Sequence, residues 1–148
     1  MSQTGGCQCG AIRFRAEALT EASICHCRMC QKATGGLFGP YVGVKAGDLT
    51  WTRGERARFQ SSNKVWRGFC AACGTPLTWE YEDDHISLMI GALDDPDAAN
   101  VTLQLGSPSK LACVDTLADL PTHEPTEPRA AAHLASIVSL QHPDHDTP

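Results

Sequence analysis

The sequence predicts a mostly β domain, stabilised by bound metal, with a short helix near its C-terminus. Three observations carry that expectation. Short runs of β-branched and aromatic residues recur through the first 121 residues, each bounded by Gly, Pro, Asp or Asn. No strand–helix alternation interrupts them, which argues against a doubly wound parallel sheet. Seven of the eight cysteines fall in three tight clusters, a spacing that signals thiolate metal ligation.

The elements follow in order. Ala11–Glu17 (AIRFRAE) alternates, with Ile12 and Phe14 on one face and Arg13 and Arg15 on the other. Further strand-like runs occupy Leu37–Val44, Leu49–Arg53, Ala57–Ser62, Val65–Cys70, Pro76–Glu82, His85–Leu93 and Val101–Gly106. Glu82–His85 (EDDH) and Ala92–Asp97 (ALDDPD) read as turns. Ala118–Pro128 is Pro-rich and acidic, the composition of a linker. Beyond it, Ala130, Leu134, Ile137, Val138 and Gln141 form a mostly apolar helical stripe. Pro128 stands where a first-turn proline is tolerated. These boundaries divide the chain into a β domain, residues 1–121, and a linker with a helical tail, residues 122–148. The tail is expected to be a solvated terminus. Packing on the domain or on a second subunit, giving a homo-oligomer, is the alternative. His133, His142 and His145 are its candidate binders of stray metal.

Bulk properties narrow the function. The chain has 148 residues, 42% hydrophobic and 20% charged, with a formal net charge of -5. That size suits one sizeable core. The negative charge argues against nucleic acid as a partner, since phosphate rewards a basic face. No run is long enough for a transmembrane helix, so no membrane partner is expected. The N-terminus lacks a basic region and an apolar core of the secretory type, so a cytoplasmic location is expected. Disulfides are disfavoured in that compartment, which leaves metal as the reason for the clusters.

The clusters are CQC at Cys7 and Cys9, CHCRMC at Cys25, Cys27 and Cys30, and CAAC at Cys70 and Cys73. A Cys-x-Cys pair on extended backbone presents both sulfurs to one side, and the residue between points away. Gln8 and His26 are therefore poor ligands, and His26 is read as a hydrogen-bonding or packing residue. Zinc suits all-thiolate sites; an iron–sulfur cluster is the rival. Two pairs make a closed four-sulfur site, and the triple then keeps three thiolates with one position open. Closed sites are structural, and open ones are the pattern of catalytic zinc. Spacing alone leaves the pairing undecided. Cys27 and Cys30 with Cys70 and Cys73 would form a zinc ribbon and leave CQC over.

The motifs GGCQCGAIRF, CHCRMCQKATGG and RGFCAACGTPLTW together resemble the glutathione-dependent formaldehyde-activating family, which includes centromere protein V-like proteins. The resemblance spans residues 3–121. It implies a tent-like β fold with a structural zinc on Cys7, Cys9, Cys70 and Cys73. It also implies a second zinc on Cys25, Cys27 and Cys30, with the catalytic role. The implied activity is condensation of glutathione with formaldehyde, or the reverse carbon–sulfur cleavage. The chain departs from the family in one place. Cys113, in SKLACVDTLADLP, stands where members often carry tryptophan; it is expected to be a small buried residue.

An anionic zinc–thiolate site calls for nearby donors. Arg28, Lys32 and Arg67 are the candidates, and the same cations are candidates to hold the carboxylates of glutathione. Thr34, Gly35 and Gly36 either offer backbone N–H groups to an anion or form a turn. His85 is a weak candidate for proton transfer. The competing readings are a non-catalytic zinc-binding interaction module and a thiol–disulfide redox protein; the latter lacks a thioredoxin-like pattern.

Overall fold

The computed structural model describes residues 1–81 and 84–148. The fold is mostly β, with two sheets. Strands β1 (Gln3–Gly6), β2 (Arg13–Ala16) and β5 (Leu49–Arg53) form a three-stranded antiparallel sheet in the order β1-β2-β5. A seven-stranded sheet has the order β10-β3-β4-β9-β8-β7-β6. Its strands are β3 (Ala22–Cys25), β4 (Gly39–Lys45), β6 (Ala57–Gln60), β7 (Val65–Phe69), β8 (Pro76–Tyr81), β9 (His85–Met89) and β10 (Val101–Leu105). Only the β10–β3 pairing is parallel. Glu82 and Asp83, half of the expected turn before β9, lie outside the described residues.

Phe14, Leu77, Leu88 and Val42 are fully buried, and Phe14 meets Trp51 edge-on at 5.8 Å. The alternation in β2 hides an exception. Arg13 is only 3% exposed, although it was expected on the outer face. Its guanidinium meets Asp94 at 2.5 Å and Asp146 at 2.9 Å, so its charge is buried with partners. Arg15 is exposed, as alternation predicts.

On the outer part of β8, Glu80 is a second buried ion. It accepts from Arg56 and from Thr78, each at 2.6 Å, and pairs with Arg58 at 2.9 Å. Burial pushes its carboxyl up, but those donors outweigh it and hold the group below the usual carboxylate range.

Among the described residues, two α-helices and short 3-10 turns complete the fold. Helix α1 (Arg28–Thr34) follows β3, and the sequence reading contained no helix there. Helix α2 (Pro128–Ala135) starts at the expected proline. It stops well before Gln141, because none of its residues is buried and no packing sustains a longer helix. The last residues are mostly exposed, as expected of a solvated terminus, but hydrogen bonds tie them to the domain. The His142 N–H donates to the Gln8 carbonyl at 2.7 Å, and Arg53 donates to the Thr147 carbonyl at 2.6 Å. With Arg13–Asp146, these contacts lay the tail on the turn that carries Cys7 and Cys9.

Cys113 is exposed, contrary to the expectation of a small buried residue. It sits in a 3-10 run, Ala112–Asp119, none of whose residues is buried. The segment lies outside both sheets and has no core to enter.

Candidate metal centres

The structure sorts the clustered cysteines into Cys7, Cys9, Cys70 and Cys73, and separately Cys25, Cys27 and Cys30. The zinc-ribbon pairing does not form. Within each group, the sulfurs lie within 4.8 Å of one another.

The four-sulfur group is built by two tight turns. In the turn from β1 to β2, Gly10 N–H closes on the Cys7 carbonyl at 3.0 Å. In the turn from β7 to β8, Gly74 N–H closes on the Cys70 carbonyl at 2.8 Å. Both glycines have positive φ, 74° and 80°, a conformation that a Cβ would strain. Backbone and side-chain donors already point at the sulfurs. Ile12 N–H reaches Cys7 Sγ at 3.2 Å, and the Thr75 hydroxyl lies 3.1 Å from Cys73 Sγ. Sulfurs at about 2.3 Å around a tetrahedral ion would be about 3.8 Å apart. Cys7–Cys9 and Cys9–Cys70 are 3.6 and 3.9 Å apart, so the donor set fits such an ion. Burial pushes the Cys7 thiol up to about 12. For Cys73, burial acts the same way, but hydrogen bonds from Thr75 outweigh it and bring the thiol to about 6.

The three-sulfur group is local. Cys25 ends β3, Cys27 caps α1, and Cys30 lies in the helix's first turn. Cys27 Sγ accepts the Cys30 N–H at 3.3 Å and so replaces a missing helical hydrogen bond. The helix ends at Gly35, φ 68°, whose N–H returns to the Gln31 carbonyl at 2.9 Å. Thr34–Gly36 is thus the turn after the knuckle. His26, between the first two ligands, is fully buried and bonds Gln104 at 2.9 Å. Among the described residues, no other Cys, His, Asp or Glu joins the three sulfurs.

Arg67 comes to this cluster from β7, though it lies 37 positions from Cys30. It is 4% exposed. Its Nη2 donates to Cys30 Sγ at 3.4 Å, Nη1 to the Tyr41 hydroxyl at 2.8 Å, and Nε to Ser61 Oγ at 2.9 Å. Burial raises the Cys30 thiol, but the Tyr41 and Arg67 hydrogen bonds outweigh it and leave Cys30 lowered. At Cys25 burial outweighs the backbone hydrogen bond from Cys27 and pushes the thiol up to about 12. Burial, with Cys30 as neighbour, also keeps the Tyr41 proton on its oxygen. Arg28 turns instead to Gln31 in its own helix, and Lys32 is exposed. Tyr41 was not singled out in the sequence. Its one signal was a strand tyrosine whose hydroxyl needs a partner once buried.

A cleft of about 470 Å³ opens beside the three sulfurs, within the usual size range of ligand pockets. It lies on one face of the large sheet. The strand residues that line it are all odd-numbered, from Ser23 and Cys25 through Tyr41, Gly43, Arg67 and Ser87. The period of two puts them all on one side, and the small Ser23, Gly43 and Ser87 hollow out the middle. Arg28 and Lys32 do not line it.

Fold and site together define a β protein with two thiolate centres able to hold metal, one closed by four sulfurs and one facing a cleft. The chain belongs to the glutathione-dependent formaldehyde-activating enzyme family, whose model matches residues 2–105. The match includes all seven clustered cysteines; residues 106–148 lie beyond it. No curated protein shows significant similarity to the chain. Among the described residues, no helix is long and apolar enough to cross a membrane.

Proposed function

We propose that the chain is a zinc enzyme that joins a thiol to an aldehyde, or cleaves the adduct, as a carbon–sulfur lyase of the S-(hydroxymethyl)glutathione synthase type. One observation carries this reading: three sulfurs converge without a fourth protein donor among the described residues, and their vacant side faces a cleft. The family description supplies glutathione and formaldehyde as reference substrates. Cys7, Cys9, Cys70 and Cys73 hold the structural zinc in this reading, and Cys25, Cys27 and Cys30 the catalytic one. Zinc bound there supplies a Lewis acid that favours the thiolate form of a thiol and polarises a carbonyl oxygen.

The chain's own groups do the rest. In the forward direction a sulfur–carbon bond forms, the carbonyl π bond breaks, and the thiol proton passes to the carbonyl oxygen. Arg67 keeps a positive charge beside Cys30, offsetting the anionic sulfurs. Tyr41, protonated and on the cleft wall, would turn its one O–H from Cys30 to the oxygen that gains the proton. Arg67 orients that hydroxyl by donating to its oxygen.

The test compares wild type with Cys30→Ser. Zinc per chain is measured together with thiol–formaldehyde exchange by two-dimensional NMR, using glutathione and an uncharged thiol. The variant should lose one ion and slow exchange by at least about a hundredfold. Equal zinc in both proteins would overturn the site assignment. Full zinc in wild type without accelerated exchange would favour a non-catalytic zinc-binding module.

A further inference from the structure

The walls of the cleft contain information about the substrate's body. We propose that this centre prefers a thiol with an uncharged, apolar body, alkyl or aryl, over a dicarboxylate such as glutathione. The proposal rests on the reading of Cys25, Cys27 and Cys30 as the reaction centre and specifies what that centre serves.

Charge is the first argument. Glutathione has two carboxylates and one ammonium group, so a fitting site needs cations spaced along its length. Among the described residues, Arg67 is the sole lysine or arginine lining the cleft. Each of its three nitrogens already donates, to Cys30, Tyr41 and Ser61. The acidic side chain of Glu21 stands on the wall. A tripeptide's carboxylates would meet one buried guanidinium, hydroxyls and the His85 ring there, and, among the described residues, no second lysine or arginine.

The apolar groups are the second argument. Met29, Val65, Trp79, Leu103 and Leu105 line the same space. Met29, Leu103 and Leu105 are 46%, 39% and 46% exposed, so a strand and a helix hold apolar surface in water beside the sulfurs. Leu105 pairs with Cys25 across β10 and β3, and Leu103 with Ser23, which fixes both leucines next to the centre. An apolar body lying there would cover these side chains and remove their surface from water. The reaction is unchanged: the sulfur–carbon bond forms and the thiol proton goes to the aldehyde oxygen.

Calorimetry on the zinc-loaded protein tests this with two pairs of probes. Benzyl mercaptan is compared with glutathione, and benzyl methyl sulfide with S-methylglutathione; the thioethers lack the thiol proton and report on the body alone. The benzyl compound should bind at least about tenfold more tightly in each pair. Leu103→Glu, at a half-exposed position, should weaken both benzyl compounds about tenfold while the melting curve stays near that of wild type. Equal or tighter binding of the glutathione compounds would overturn the proposal and leave the metal assignment standing. Unchanged benzyl binding in Leu103→Glu would also overturn it. If the benzyl preference holds but the free thiol binds no more tightly than its thioether, the apolar body is supported. The reading of an open metal position then fails.

Discussion

The two cysteine clusters use the same donor atom in opposite ways. Cys7 and Cys9 come from one turn, Cys70 and Cys73 from another, and the four sulfurs join segments 61 positions apart. Those turns belong to different sheets, so an ion there staples the sheets together, and the tail lies over the same turn. Cys25, Cys27 and Cys30 come from one strand–helix junction. An ion there ties together nothing distant, and its surroundings are a buried arginine, a protonated tyrosine and a cleft. Four protein ligands are the pattern of a structural ion, and three with an open position are the pattern of a catalytic one.

Removing a ligand from the closed cluster should show the contrast most strongly. Cys70→Ser leaves a buried position without its metal bond and unlinks the sheets. We expect a loss of more than about 4 kcal/mol, or no folded protein, in a chemical melt followed by circular dichroism. A fold as stable as wild type would break the comparison.

Glu80 is a control for stability away from both clusters. Glu80→Gln should cost about 2 kcal/mol in the same melt, with exchange activity retained. Its folded value lies below the ordinary 4.5. The ion's contribution is therefore fully present above about pH 4.5 and is lost as pH falls through the lower, folded value. The stability gap between wild type and variant should be constant near neutrality and narrow below pH 4.5. A gap that widens in acid would contradict the assignment.

Arg67 sharpens the open side. Arg67→Lys keeps the charge but loses the fork that reaches Cys30, Tyr41 and Ser61 together. Turnover should fall about tenfold with KM little changed, since the fork positions groups that act in the reaction. An equal rise in KM with unchanged kcat would instead make Arg67 a binding residue.

Much of this was legible in the sequence, for physical reasons. Metal ligands must be close in space, and short-range turns bring them close in sequence too, so the clusters could be read directly. The alternating runs gave most strands their approximate positions. Three elements were not visible. β1 is QTGG, with no β-branched or apolar side chain beyond its threonine to show a period. β3 is four residues long, and α1 has seven, too few for a helical repeat to register. Long-range ion pairs were also invisible. Nothing near Arg13 in sequence indicates that Asp94 and Asp146 will meet it, nor that Tyr41 and Arg67 converge on Cys30. Cys113 was misjudged because cysteine is buried on average, while its own segment has no core to enter.

The central claim is that one metal position is closed by four sulfurs and the other by only three. Zinc-edge X-ray absorption on protein loaded with two ions per chain counts those sulfurs directly. The account predicts about 3.5 sulfurs per zinc, the mean of four and three, rising to about 4 when benzyl mercaptan is added. Four sulfurs per zinc in the free protein, unchanged by the thiol, would contradict it.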